Sequence, residues 1–252
     1  MNLLLLRPEE VDPALAEVRL TGRRADHVRD VLRASPGRTL RCGLLDGPLG
    51  VAIVTRVGRD EVVVRCSFDP SPPPRPEDVL LLAAPRPKVL RRVVEDAAAL
   101  GYGTIVVLRT WRVDRSHLES RAVDPLALDP HALAGLEQGR RTWRPRILVE
   151  PLFRPFVEDR LDRLLPAGER LVADPDAAID IAGRRPTGPF SLAIGPERGF
   201  TPYEIAALTE RGFVAVHAGP HPLRVEAAVA ALTATLCGAR RCGAVDRRPG
   251  LG

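Results

Sequence analysis

The sequence predicts an α/β protein in two parts: a small β-barrel over residues 1–70 and a parallel-sheet domain over residues 77–252. Three observations predict it. Before residue 70 the chain offers short, alternating apolar segments separated by turn formers. At Pro70-Ser71-Pro72-Pro73-Pro74-Arg75-Pro76 it presents a segment that no core strand or helix could contain, because proline lacks the backbone donor and fixes φ. Beyond it, apolar β-branched runs alternate with amphipathic helical patterns, the signature of a parallel sheet covered on both faces. The proline segment is therefore the expected domain boundary, a stiff extended linker.

In the first part, residues 3–6 read as a strand. Residues 25–33 place Val28, Val31 and Leu32 at helical spacing and run into Ser35-Pro36-Gly37. Arg29 and Arg33 lie four apart and are expected on one helix face, open either to phosphates or simply to solvent. Residues 39–45 alternate Leu40, Cys42 and Leu44 as a half-buried strand. Asp46-Gly47 signals a hairpin, and residues 51–57 and 61–65 read as further strands.

In the second part, residues 79–84 are an apolar strand. Residues 88–100 carry Val89, Leu90, Val93, Val94 and Ala97 along one helical stripe that Gly101 ends. Strands follow at 104–108, 147–149 and 171–173, with helices at 129–141 and 155–165 between them. The most informative stretch comes last. The apolar run 190–194 stops at Gly195-Pro196, and Thr201-Pro202-Tyr203-Glu204 forms a capping box: Thr at N-cap, Pro at the first helical position, Glu at the third. That helix passes Ile205 and Leu208 and stops near Gly212. A short strand at 213–216 leads through Gly219-Pro220-His221-Pro222 to an Ala-rich helix from 225 to 236, which Gly238 can close. Its small face of Ala227, Ala228, Ala230 and Ala231 is expected to pack tightly behind the loops. Two strand–loop–helix units thus follow one another, with loops expected at the carboxyl ends of parallel strands, where α/β sheets bind ligands.

The chain has 252 residues, 45% hydrophobic and 27% charged, which describes a globular, soluble protein. The apolar run at its start is too short for a signal peptide or a membrane span, and no other run is long enough, so a cytoplasmic protein without a membrane partner is expected. Cys42, Cys66, Cys237 and Cys242 form no C-x-x-C pair, which points away from a zinc site and a disulfide framework; no metal is expected. A net charge of +5 and a pI near 9.5 permit an anionic partner such as RNA. Of the 37 basic residues only Lys88 is lysine, a bias that reads as genome composition rather than as contacts. No G-x-G-x-x-G follows a strand in a leading βαβ unit and no G-K-[ST] is present, so dinucleotide and P-loop readings lose their support.

Gly195-Pro196-Glu197-Arg198-Gly199 and Ala218-Gly219-Pro220-His221-Pro222-Leu223-Arg224-Val225-Glu226-Ala227-Ala228 resemble the two cofactor loops of the small-subunit ribosomal RNA methyltransferase E family, SPOUT-type uracil-N3 enzymes. Elsewhere His27, Val31, Leu32 and Arg33, Pro87-Lys88, Leu100-Gly101, Arg112, Arg115, Ser116, Glu137-Gln138 with Arg141, and Pro145 match in order. The resemblance thus spans nearly the whole chain. Departures fall at Ala98, Ala99, Arg198, His221 and Val225.

The resemblance implies a PUA-like β-barrel for RNA, a knotted (trefoil) α/β methyltransferase domain, a homodimer, and S-adenosyl-L-methionine as cofactor. It implies small-subunit ribosomal RNA, or the assembled small subunit, as partner. Cofactor contacts are expected from Ile194, Gly195, Pro196, Glu197, Gly199, Gly219, Pro222 and Leu223, because glycine lets backbone approach a ligand closely. RNA contacts are expected from Arg29, Arg33, Lys88, Arg112, Arg115 and Arg141. Uridine N3 is weakly acidic, so the attacking site needs its proton removed or its anion stabilised. Arg224 is the candidate for stabilisation. Glu226 either orients Arg224, accepts a proton through water, or only caps the last helix. Three alternatives stay open: a related enzyme with another RNA target, an inactive RNA-binding assembly factor, and a small-molecule or protein methyltransferase, against which the barrel domain argues.

Overall fold

A computed structural model describes residues 2–119 and 123–245, with side chains undescribed at 118, 119 and from 239 onward. The chain divides into two compact units, Met1–Arg75 with Leu136–Arg144, and Pro76–Gly135 with Pro145–Gly252. Segment 136–144 therefore counts with the first unit, although the sequence division places it after the linker. Its hydrogen bonds explain this: the Asp46 amide donates to Thr142 O (2.8 Å), the Thr142 hydroxyl to Gly47 O (2.7 Å), and the Trp143 indole to Pro73 O (2.7 Å).

The first unit is a five-stranded sheet of β1 (Leu4–Leu6), β2 (Glu17–Thr21), β3 (Thr39–Leu44), β4 (Leu49–Val57) and β5 (Glu61–Phe68), in the order β1-β3-β4-β5-β2. β1 pairs parallel to β3, and the other pairs are antiparallel. Inward residues such as Leu6, Leu20, Val28, Cys42, Val54 and Val64 form its core. β2 is absent from the sequence reading, although Val18 and Leu20 face inward at period two. Helix α1 (Gly22–Asp26) begins earlier than expected and continues as a wider π-type turn (His27–Val31). The helix face expected to join Arg29 and Arg33 does not form, because Arg33 lies past the helix with φ 47°, in the left-handed region.

The second unit is a six-stranded, all-parallel sheet of β6 (Val79–Ala83), β7 (Thr104–Leu108), β8 (Arg146–Glu150), β9 (Glu169–Ala173), β10 (Phe190–Ile194) and β11 (Val214–Val216). Its order is β11-β9-β10-β6-β7-β8. The chain walks outward from β6 to β8, crosses to β9, and then lays β10 between β6 and β9. β10 is buried throughout, and Phe190, Leu192 and Ile194 each contribute about 1.5–3 kcal/mol by leaving water.

The connecting helices are α2 (Pro87–Leu100), α3 (Arg115–Glu119), α4 (Pro125–Gly139), α5 (Phe153–Pro155), α6 (Leu161–Leu164), α7 (Pro202–Glu210) and α8 (Val225–Val245). α5 runs into α6 through a π-type turn at Phe156–Arg160. α2 ends on Gly101 at φ 96°, as its sequence indicates. α4 starts four residues before the expected helix, since Asp124 accepts the Leu126 amide (2.9 Å) and caps it. It ends where Arg140 turns left-handed (φ 55°), so Arg141 lies outside the helix expected to contain it.

α8 packs against α2, and the Tyr102 hydroxyl lies 2.6 Å from Thr233 Oγ1 in the buried seam. Two expectations for α8 are corrected. Gly238 does not close it, since the helix runs on to Val245. Nor do the alanines form its packed face: Val225, Val229, Leu232 and Leu236 are buried, while Ala227, Ala230 and Ala231 are exposed. Branched and larger side chains remove more surface from water than alanine, so they take the inner stripe. The Cys242 side chain lies outside the described residues.

Candidate functional site

Three strands of the second unit, β9, β10 and β11, deliver their carboxyl ends to one cleft. Ala173, Asp174 and Pro175 come from the end of β9, Ile194–Glu197 and Gly199 from the β10 loop, and Val216–Gly219 with His221–Leu223 from the β11 loop. Val225, Ala228 and Leu232 of α8 close the back. The cleft encloses about 110 Å³ and opens to solvent at its mouth.

The β10 loop is held from several directions. Gly195 sits so close to the returning backbone that an added Cβ would meet Phe200 N at 2.9 Å and Gly199 C at 3.0 Å. Gly199 adopts φ 68°, which favours glycine. Thr201 then caps α7 as the sequence predicts: its hydroxyl accepts the Glu204 amide (3.3 Å), and Glu204 Oε2 accepts the Thr201 amide (2.7 Å). Glu204 does more than cap. It is 2% exposed, and its Oε1 also accepts the Trp111 amide (2.7 Å), tying the loop after β7 to the start of α7. Arg112 donates from Nη1 to Arg198 O (2.5 Å) and Phe200 O (3.2 Å), clasping the β10 loop from the same side. The β11 loop is pinned by His217, whose Nδ1 accepts the Gly219 amide (3.0 Å); Gly219 itself has φ 97° and open space where a side chain would stand.

All eight residues expected to meet the cofactor, Ile194, Gly195, Pro196, Glu197, Gly199, Gly219, Pro222 and Leu223, line this cleft. His221 lines it too, with its side chain exposed. The Arg198 side chain is exposed, and the residue is not part of the lining. Arg224 sits between two lining residues and is exposed; Glu226 is half-buried in the first turn of α8. Of the three readings of Glu226, the one that has it orient Arg224 finds no ion pair between the two among the described residues. Glu226 instead lies near Asp96 of α2. The Asp96 carboxyl is pushed above its usual range, first by burial and then by the charges of Glu95 and Glu226.

The expected RNA contacts are dispersed. In the second unit Lys88 is exposed in the first turn of α2 and Arg115 is exposed at the start of α3. Arg112 spends at least one guanidinium nitrogen on the β10 loop. In the first unit Arg29 is held by Asp30 (2.8 Å) and Asp26 (2.7 Å), which raise its pKa, and by the Arg59 carbonyl, so little of it is left for phosphates. The sequence reading missed the β9 contribution. Asp174-Pro175 directly after an apolar strand is the same turn signal that marked the other two loops.

An open parallel sheet, with three loops gathered around one cleft at its carboxyl edge, places the chain among the α/β proteins, whose ligands bind at that edge. A family profile described as "RNA methyltransferase domain" matches residues 73–237. The chain belongs to this family of RNA methyltransferases. It is 29% identical to the ribosomal RNA small subunit methyltransferase E of Treponema pallidum, over 99% of this chain and 96% of that one. It is 30% identical to the protein of the same name from Mycobacterium bovis, over 81% and 79%. Its fold superposes with a TM-score of 0.69, at 20% identity and over 93% and 95% of the chains, on a ribosomal RNA small subunit methyltransferase E from Neisseria gonorrhoeae crystallised with S-adenosyl methionine.

Proposed function

We propose that the chain transfers a methyl group from S-adenosyl-L-methionine to N3 of a uridine in small-subunit ribosomal RNA, with the described cleft as the cofactor site. The observation that carries this reading is the convergence of the β9, β10 and β11 loops on one cleft, in a chain whose named relatives are small-subunit ribosomal RNA methyltransferases. The residues suit the cofactor. Gly219 at φ 97°, with open space beside it, lets backbone meet a flat adenine closely, and Leu223, Val225 and Ile194 offer apolar walls.

When bound, the cofactor supplies an electrophilic methyl group on a sulfonium sulfur; the methyl goes to N3, the N3 proton to solvent or a base, and the thioether leaves. The chain's own residues orient and shield. Glu204 and Arg112 keep the β10 loop in one shape, so the ligand meets a preformed cleft. Arg224, exposed between the lining residues Leu223 and Val225, stabilises the negative charge that develops on the uracil oxygens as the N3 proton departs. Glu226 contributes its charge at the amino end of α8, where the helix dipole favours an acid.

The same reading assigns residues 1–70 to a PUA-like barrel for RNA and residues 77–252 to a SPOUT domain. Placement of β10 between β6 and β9 supports a trefoil knot there. It also assigns Arg33, Lys88, Arg115 and Arg141 to RNA phosphates, a homodimer to the active form, and the cytoplasm, with its ribosomes, to the site of action. No described helix is long and apolar enough to cross a membrane.

The test uses purified protein, labelled S-adenosyl-L-methionine, and small ribosomal subunits from cells lacking the uridine modification. N3-methyluridine at one position in the recovered RNA is the expected result. A different methylated nucleoside would replace the substrate, and no transfer despite cofactor binding would overturn the assigned activity.

A further inference from the structure

A second cleft opens at the same sheet edge, at the ends of β7 and β8, and none of the expected cofactor residues lines it. Its walls include Arg109, Thr110, Trp111, Leu152, Arg154 and Tyr203. Trp111 is 87% exposed and Tyr203 58% exposed, in a chain with only two tryptophans and two tyrosines. Leaving an indole in water forgoes much of the free energy that burying it would bring. Yet Trp111 is not on a loose tip. Its amide is held by the buried Glu204 carboxylate, and the next residue, Arg112, is bonded to the β10 loop. The ring is presented on a fixed base.

Two further features indicate what the cleft takes. Thr110 is 3% exposed, and its hydroxyl is buried without a hydrogen-bond partner, an orphan that a ligand can satisfy. The charge around the cleft is positive. Arg109 has no acidic partner among the described residues, and Arg154 meets Glu158 only through Nε (2.7 Å), leaving its terminal nitrogens uncommitted there. The one carboxylate in the lining, Glu204, is already engaged by three donors. A purely apolar partner would have to bury those guanidiniums unpaired, which is unfavourable. A flat π-surface with an attached anion satisfies everything present.

We propose that this cleft binds an unpaired nucleotide of the RNA substrate, its base stacked on Trp111, with its phosphate met by Arg109 and Arg154 and its polar edge by the Thr110 hydroxyl. The proposal rests on the reading of the chain as an RNA methyltransferase. Three strand spacings separate the two clefts along the sheet edge, roughly 15 Å. The bound nucleotide is therefore a neighbour of the methylated one, and the cleft helps choose which uridine reaches the cofactor.

The experiment measures three quantities in wild type, Trp111→Ala and Trp111→Phe, all as full chains. They are affinity for a short uridine-rich oligoribonucleotide by fluorescence anisotropy, cofactor affinity by calorimetry, and mass by light scattering. Trp111→Ala is expected to weaken oligonucleotide binding about 10- to 100-fold, as loss of base–aromatic stacking does. Trp111→Phe keeps most of the affinity, and cofactor affinity and mass stay unchanged in both variants. Wild-type oligonucleotide affinity in Trp111→Ala overturns the proposal, as does a wild-type protein that does not bind the oligonucleotide. A fall in mass with unchanged RNA affinity assigns the cleft to a second copy of the chain instead. If Trp111 governs RNA binding but no RNA is methylated, the catalytic reading fails and the cleft stands.

Discussion

Replacing Glu204 by alanine removes the acceptor that joins the loop after β7 to the start of α7. Three donors lose it: the Thr201 amide at 2.7 Å, the Thr201 hydroxyl at 3.0 Å and the Trp111 amide at 2.7 Å. The hydroxyl can turn to water, but the two amides cannot move without moving the backbone. Hydrogen bonds to a charged acceptor contribute about 1.5–3 kcal/mol each, so the two amides together predict a loss of about 3–6 kcal/mol. That is a large share of the 5–15 kcal/mol by which domains of this size are typically stable, and it leaves the fold intact. For a chain of this length it corresponds to a fall in Tm of about 6–24 °C. Glu204→Gln keeps one oxygen for one of the amides and is expected to lose about half as much. Thermal unfolding, followed with hydrogen exchange at the Trp111 and Thr201 amides, reads both variants. A shift under about 2 °C for Glu204→Ala, with exchange at both amides unchanged, would refute the reasoning that this carboxylate organises the two loops.

Other substitutions test separate parts of the account. Gly195→Ala drives a Cβ against the backbone of Gly199 and Phe200, so calorimetry is expected to show weakened cofactor binding alongside a stability loss of about 1–3 kcal/mol. Arg224→Ala should reduce methyl transfer by about 100-fold or more while leaving Tm in place, because the side chain is exposed; near-normal turnover removes its assigned role. Glu137 tests the pH dependence of the first unit. Burial pushes its carboxyl above the usual range, and the opposing charges of Arg23 and Arg24 do not fully offset it. The folded state thus holds that proton to higher pH than the unfolded chain does. Its stability falls as pH rises from the ordinary carboxylate value through the raised one. Glu137→Gln is therefore expected to raise Tm at pH 7 and to lose that advantage below about pH 4; equal Tm at both pH values contradicts the assignment.

Local chemistry made much of the second unit legible. The β10 run, the Thr201–Glu204 capping box, the stop at Gly101 and the glycine loops each depend on residues close in sequence, and each appears where its pattern places it. The gathering of the two glycine loops could be expected because parallel strands send their carboxyl ends to one edge. What escaped depends on distant partners or on competition between weak local signals. The sequence pattern starts α4 at Asp129-Pro130, whereas the Asp124 side chain caps it earlier. Gly238 looked like a stop, yet nothing in a helix obliges a glycine to end it when the inner stripe continues. The alanines of α8 looked like a packing face until Val225, Val229 and Leu232 proved to be the buried stripe. Residues 136–144 count with the first unit through contacts nearly a hundred positions away in sequence, such as Thr142 with Gly47. No periodicity carries that information. Arg112 illustrates the same limit at the site, since a guanidinium that clasps two carbonyls looks, in sequence, like any basic residue in an RNA-binding protein.

The central claim is that the cleft at the ends of β9, β10 and β11 holds the methyl donor. A crystal structure of the full chain with S-adenosyl-L-homocysteine tests it most directly. The account predicts ligand density between the Gly195–Gly199 loop and the His217–Leu223 loop, with the adenine against the backbone at Gly219. Density in the Trp111 cleft, or none beside the β10 and β11 loops at saturating ligand, would contradict it.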